Sequence, residues 1–165
     1  MPQGFLTQIF TPFGHKNFSY AGTLGEIKFN NMPNTSSRDP LGHIKIAVSN
    51  FKKSYLFYSD IFEGLGYKQV SNKDDRAGWA SPDGYGISIA QADIPDYPYK
   101  FSAPGLHHLC LKADSTEAVD RIYKLILEKD AHIFDAPQKY PNYTDKYYAV
   151  FFADPDGIKL EVAYY

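Results

Sequence analysis

Two histidines and a glutamate, each on a short alternating run, are the residues of this 165-residue chain best suited to chemistry. His43 opens His43-Ile44-Lys45-Ile46-Ala47-Val48, and His108 opens His108-Leu109-Cys110-Leu111-Lys112-Ala113. Alternation puts Ile44, Ile46 and Val48 on one face of the first run and His43, Lys45 and Ala47 on the other. In the second run His108, Cys110 and Lys112 oppose the aliphatic face. In a third, Ile158, Leu160 and Val162 are the apolar set, which sends Lys159, Glu161 and Ala163 the other way. His43, His108 and Glu161 can then converge from three strands. Two imidazoles and one carboxylate suit a first-row divalent ion such as Zn, Ni, Mn, Fe or Co. Three protein donors also leave positions open for water and substrate.

The neighbouring residues divide in the same way. His107 is the rival of His108, but choosing it would put Leu109 and Leu111 on the ligand face. His15 and His132 have no equivalents and read as surface residues. Lys45, Lys112 and Lys159 share the ligand-bearing faces, where they suit a substrate carboxylate or phosphonate or sit in solvent at the rim. Tyr147 and Tyr148 precede a Phe-rich run, and alternation sends one of them inward. With Tyr140 and Tyr143 they either wall a pocket or pack the core. Cys110 reads as a small buried residue.

These residues need elements to hold them, and the chain supplies the same set twice. The two histidine-led runs are each followed by an amphipathic helical stretch. Ser81-Pro82-Asp83-Gly84 is echoed by Asp154-Pro155-Asp156-Gly157, each before another alternating run. Such self-similarity indicates two copies of a unit that cannot bury its apolar face alone. In the first copy, residues 42–92, Ser49 or Asn50 can cap a helix whose stripe is Tyr55, Tyr58, Phe62 and Leu65, with Gly64 and Gly66 as stop signals. Short strands are expected at Lys68–Ser71, Gly78–Ser81 and Ile87–Gln91. Pro95, Pro98 and Pro104 mark residues 93–105 as a linker. In the second copy, residues 106–165, Asp114 with Glu117 resembles a capping box, and Val119, Ile122 and Ile126 form the buried stripe. Strands are expected at Ala131–Phe134, Tyr147–Phe152 and Ile158–Tyr164, with residues 137–143 as an insertion. Residues 1–41 match neither copy and read as an N-terminal extension or linker. Strand, helix and three strands, twice over, give an α+β protein. Its curved mixed sheets would pair around a funnel-shaped site, with helices outside.

Composition narrows the function classes. A formal net charge of −2 gives no electrostatic case for nucleic acid or an acidic membrane. No apolar run approaches the roughly 18 residues of a membrane span, and no secretory signal pattern opens the chain. The single cysteine excludes an internal disulfide and suits a reducing compartment, so a cytoplasmic protein is expected. Tyrosine and phenylalanine are abundant, at 14 and 12, which strand propensity or an aromatic-lined pocket would both explain.

The two histidine-led runs, together with Tyr148-Ala149-Val150-Phe151-Phe152-Ala153-Asp154-Pro155-Asp156-Gly157-Ile158-Lys159-Leu160-Glu161, resemble the vicinal oxygen chelate superfamily over residues 42–165. That group includes glyoxalase I, bleomycin-resistance proteins, fosfomycin-resistance thiol transferases and extradiol dioxygenases. The resemblance implies paired βαβββ modules around a divalent ion that chelates vicinal oxygens of a small substrate, with His43, His108 and Glu161 at the ligand positions. It implies a lyase- or isomerase-like enzyme of the glyoxalase group. The alternatives are a metal-free protein that sequesters an aromatic or drug-like ligand, as in the bleomycin-resistance members, and a thiol transferase. Relatives are commonly dimers, so a homodimer is implied, with the modules pairing within or between chains. Lys45, Tyr147, Tyr148 and Lys159 are the expected substrate contacts. Glyoxalase I-like members carry a further carboxylate on the last strand of the first copy. Here the count from Gly84 lands on Ser88, or on Ala90 with a two-residue slip, and no catalytic base is identified.

Overall fold

The computed structural model describes residues 41–165, so apart from Leu41 the expected extension, residues 1–41, lies outside the described residues. The first unit begins with β1 (His43–Val48), whose alternating burial places Ile46 and Val48 in the core and His43, Lys45 and Ala47 in the open. Asn50, two residues past the strand, is extended and caps α1 (Phe51–Gly64), its side chain accepting from the Lys53 N–H at 3.1 Å. Ser49, the other candidate cap, turns away and bonds Asp156 through both its N–H, at 3.0 Å, and its hydroxyl. Gly66, at φ +80°, takes the left-handed conformation that ends the helix. Three strands follow: β2 (Lys68–Lys73), β3 (Arg76–Ala80) and β4 (Gly86–Gln91).

The second unit repeats the order with β5 (Leu109–Lys112), α2 (Thr116–Glu128), β6 (Ile133–Lys139), β7 (Tyr148–Ala153) and β8 (Lys159–Tyr164). Two details depart from the sequence expectation. The cap of α2 is Ser115, which accepts from the Ala118 N–H at 3.2 Å. Asp114 lies one residue too early, because Ser115 is still fully extended, at φ −159° and ψ 168°. Glu117 keeps its place in the first turn, where its own backbone N–H and Ser115 hold its carboxyl below the usual range. The second departure is β6, which runs on through Pro137 to Lys139, so that part of the expected insertion is strand. It tolerates a proline because it is the outermost strand and its register shifts twice, between Ile133 and Asp135 and between Asp135 and Gln138.

The strands form two four-stranded mixed sheets, ordered β1-β4-β3-β2 and β5-β8-β7-β6. In each, the first and last strands of the unit run parallel and the other pairings are antiparallel. The fold is α+β, two units of one pattern, and among the described residues no strand of one sheet pairs with the other. Both helices pack on one face of their own sheet and against each other. This gives a single core that holds Tyr58, Ile61, Phe62, Trp79, Ile122, Ile126, Phe152 and Leu160. Burying each of these large side chains stabilises the fold by about 1.5–3 kcal/mol. The histidine-bearing faces of β1 and β5 therefore look away from the shared core.

One polar pair crosses that core. Tyr58 of α1, 0% exposed, donates its hydroxyl to Asp154 Oδ2 at 2.7 Å, and Asp154 is itself only 5% exposed. The other oxygen of Asp154 accepts from the Asp156 and Ile158 N–H groups at 2.9 and 2.7 Å, which closes the turn before β8. Burial lifts the Asp154 carboxyl from 3.8 to about 6, even though these bonds pull it down. The folded state therefore holds a proton that the unfolded chain has already released, and stability is lost as pH rises through that window. Asp154→Ala should cost about 3 kcal/mol in urea unfolding, since it strands a buried hydroxyl and two N–H groups. Asp154→Asn removes the charge. Its stability relative to wild type should fall as pH is lowered from about 7 to about 5, because only the wild type gains from protonation there.

Candidate functional site

Glu161 lies mid-strand in β8, between Leu160 and Val162 of the main core, yet its side chain points to the opposite face. It is nevertheless only 2% exposed. The register explains this: Cys110 of β5 and Phe151 of β7 are its cross-strand neighbours and wall it on both sides. Ala149, Phe151 and Ala163 form a second, smaller apolar cluster on this face, with Cys110, Tyr140 and Tyr147 packed against it. A carboxylate buried in such surroundings needs partners for both oxygens. Oε1 accepts from the Tyr147 hydroxyl at 2.7 Å, and Oε2 lies 3.2 Å from His108 Nε2. Among the described residues no lysine or arginine pairs with it.

Tyr147 is fixed in turn by its own contacts. Its ring stacks on Tyr165 at 5.0 Å with an interplanar angle of 3°, and meets Tyr140 and Tyr143 edge-on. Burial, followed by the Glu161 hydrogen bond, pushes its phenol well above the usual range, so it acts as a donor. Burial and the nearby Glu161 also push the Cys110 thiol up to about 12. Lys159 shares the face, its ammonium 4.7 Å from the Phe151 ring centre and 5.2 and 5.4 Å from those of Phe101 and Phe134. Lys112 lies 4.8 Å from the centre of the Tyr165 ring.

The expected site residues are thus distributed unevenly. His108, Glu161 and Tyr147 come together, with Lys159 on the same face. Tyr148 belongs to the other face, where its hydroxyl donates to Asp120 of α2 at 2.9 Å. Of the tyrosine pair, alternation has sent Tyr147 to the ligand side. His43 and Lys45 are exposed on the corresponding face of β1. Among the described residues no three His, Cys, Asp or Glu side chains are grouped as ligands of one ion. His43 does not join His108 and Glu161 within the chain.

Register makes the comparison of the halves exact in position. Cys110 pairs with Glu161 as Lys45 pairs with Ser88, so Ser88 is the first-unit counterpart of Glu161. Phe151 opposite Glu161 likewise corresponds to Gly78 opposite Ser88. The first sheet presents small and polar residues where the second presents a carboxylate and aromatic rings. A cavity of about 870 Å³ lies elsewhere, between the linker, Ala47 and Ser49 of the first unit, and Pro155, Asp156 and Ile158 of the second. It holds none of the donor residues, and the chemistry follows the donors. Two partners escaped sequence reasoning. Tyr147 as the donor to Glu161 depends on a diagonal reach across strands, and His107, whose Nδ1 lies 2.7 Å from that of His108, carries no sequence signal beyond adjacency.

Two outcomes follow from this geometry. Tyr147→Phe leaves a buried carboxylate oxygen short of its donor and should cost about 1–3 kcal/mol in chemical denaturation. Cys110 should resist iodoacetamide in the folded protein at about pH 8, because the thiolate is the reactive form, and should alkylate at an ordinary rate in urea.

A family model described as Glyoxalase/Bleomycin resistance protein/Dioxygenase superfamily matches residues 40–162. The YqjT protein of Bacillus subtilis is 30% identical over 122 residues, which cover 73% of this chain and 94% of that protein. The 2,2',3-trihydroxybiphenyl dioxygenase of Sphingomonas paucimobilis is 27% identical over 131 residues; the match takes in 75% of this chain but only 40% of the dioxygenase. The crystal structure of a glyoxalase/bleomycin resistance protein from Albidiferax ferrireducens superposes with a TM-score of 0.64 at 19% identity, covering 75% of this chain and 98% of that one. With its doubled strand–helix–three-strand pattern and these matches, the chain belongs to the glyoxalase/bleomycin resistance protein/dioxygenase superfamily.

Proposed function

We propose that the protein is a metal-dependent enzyme of the glyoxalase group, lyase- or isomerase-like, that holds a divalent ion through His43, His108 and Glu161 and acts on a small substrate with vicinal oxygens. The observation that carries this reading is Glu161, a buried carboxylate with an imidazole nitrogen 3.2 Å from one oxygen, a tyrosine donor on the other and, among the described residues, no lysine or arginine paired with it. Such a pair is half of a ligand set, and Tyr147 is the kind of outer partner that orients a ligating carboxylate. When bound, the ion would supply Lewis-acid polarisation of the paired substrate oxygens. The chain's own residues do the rest. Phe151, Tyr140 and Tyr147 exclude water from the carboxylate, and Lys159 offers a positive charge to an anionic substrate group. The similarity to a trihydroxybiphenyl dioxygenase supports a ligand with adjacent oxygens. The absence of a carboxylate at Ser88 speaks against a base in the position glyoxalase I uses.

The third ligand sets the assembly. His43 is exposed on β1, and β1 and β5 are edge strands, each paired on one side only among the described residues. The reading therefore has His43 of one copy complete the His108–Glu161 pair of another, in a homodimer with two equivalent sites. The purified protein should carry about one divalent ion per chain and elute as a dimer. His43→Ala and His108→Ala should each lose the metal. Mixing refolded His43→Ala and Glu161→Gln chains should restore about half of the wild-type metal per heterodimer, since one of its two sites is intact. Restoration of none would overturn the shared site. Protein that never takes up metal but binds a planar aromatic ligand through Tyr140, Tyr147 and Phe151 would support the sequestering function instead.

A further inference from the structure

We propose that the substrate is an organic anion, and that Lys159, held in a seat of three phenylalanine rings, is the residue that selects it. The inference rests on reading the Glu161 face as the substrate site, and it names the class of molecule that face takes. The Lys159 ammonium lies 4.7 Å from the ring centre of Phe151, 5.2 Å from that of Phe101 and 5.4 Å from that of Phe134. The rings come from separate parts of the chain: Phe101 from the linker, Phe134 from β6 and Phe151 from β7. Each attracts the cation, and together they fix the end of a side chain that has much rotamer freedom to lose.

Rings hold an ammonium but do not satisfy it. Its N–H groups need oxygen acceptors, and among the described residues no carboxylate pairs with Lys159. Lys129, by contrast, is tied to Asp60 and to the Leu56 carbonyl. Lys112 also meets a ring, that of Tyr165, but it is exposed, whereas Lys159 is half-buried. A half-buried cation without a counter-charge favours an anionic ligand, whose oxygens replace the water that burial removes. The surroundings suit the apolar body of such a ligand. Phe101 and Phe134 are 36% and 39% exposed, so open aromatic surface lies beside the charge. Position sets the shape. Lys159 and Glu161 stand two residues apart on one face of β8, about 6.5 Å along the strand. Phe151, which lies against the ammonium, is also the cross-strand neighbour of Glu161. An anionic group at Lys159 and paired oxygens beside Glu161 therefore fit one small molecule, separated by about the width of a six-membered ring.

The test is calorimetry on the full chain with two matched pairs of probes. 3,4-Dihydroxybenzoate and 3,4-dihydroxybenzamide are compared on Zn²⁺-loaded protein, and benzoate and benzamide on metal-free protein. Within each pair the shape is nearly constant and the charge differs. The acid should bind about 10–100-fold more tightly than the amide. Lys159→Met keeps the stem without the charge and should erase that ratio, while Lys159→Arg should keep most of it. Phe101→Leu loosens the seat and should lower the ratio by about 2–5-fold. Lys124→Met, which removes a charge from the exposed side of α2, should leave it unchanged. A wild type without preference for the acid, whether it binds both probes equally or neither, would overturn the proposal. So would a preference that survives in folded Lys159→Met, or a ratio unchanged in Phe101→Leu. If the wild type takes up no Zn²⁺, the metal reading fails by itself, and benzoate against benzamide on the metal-free chain still decides whether Lys159 selects an anion.

Discussion

Placing a carboxylate inside a protein is a demand that the surroundings must meet, and Glu161 imposes that demand on the second half of this chain. At 2% exposure it has exchanged water for two side chains, Tyr147 and His108. Those side chains are constrained in their turn, Tyr147 by stacking on Tyr165 and His108 by His107 and Phe151. The separate apolar cluster of Ala149, Phe151 and Ala163 exists on the side of the sheet where solvent would otherwise lie. Each sheet thus works on two faces. One is given to a helix and the common core, and the other is free for chemistry.

That second face is developed in only one of the two units. Glu161 and Phe151 find Ser88 and Gly78 at the equivalent register positions, and Lys159 in β8 has the glycine-led start of β4 as its counterpart. Close packing is part of the reason. A Cβ on Gly78 would come within 2.9 Å of the Ser71 hydroxyl, and one on Gly86 within 3.1 Å of the His43 Cβ. The first unit is thereby kept low and open around His43, while the second supplies the walls.

Most of the architecture was legible in the sequence because strand alternation and helix periodicity are local. The repeat, the two helices and the sides taken by His43, His108 and Glu161 follow from spacing alone. Legibility failed where geometry is decided by a single bond or by position in a sheet. Asp114 and Ser115 are equally good caps by type, and only the extended backbone of Ser115 selects it. Pro137 argued against a strand, yet an outermost strand with shifted register has no use for the missing N–H. Alternation told Tyr147 from Tyr148 but not which went inward. The meeting of His108 with Glu161 could be proposed from pattern, whereas whether His43 reaches them depends on how the sheets are arranged, which no local pattern encodes.

The hairpin turn that precedes the final strand of each unit shows how far the repeats have drifted apart. In the first, the Ser81 hydroxyl accepts from the Tyr85 N–H four residues on, at 2.9 Å. In the second, Asp154 accepts from the Ile158 N–H at the same separation. A hydroxyl has only the one oxygen that makes this brace, whereas a carboxylate has a second, which here extends to Tyr58 in the opposite repeat. With serine at this position the turn is a local clasp, and with aspartate it is also a tie between the repeats. The tie runs one way only, so the repeats are no longer interchangeable. A tandem made of two first units would lack the second oxygen and with it the tie.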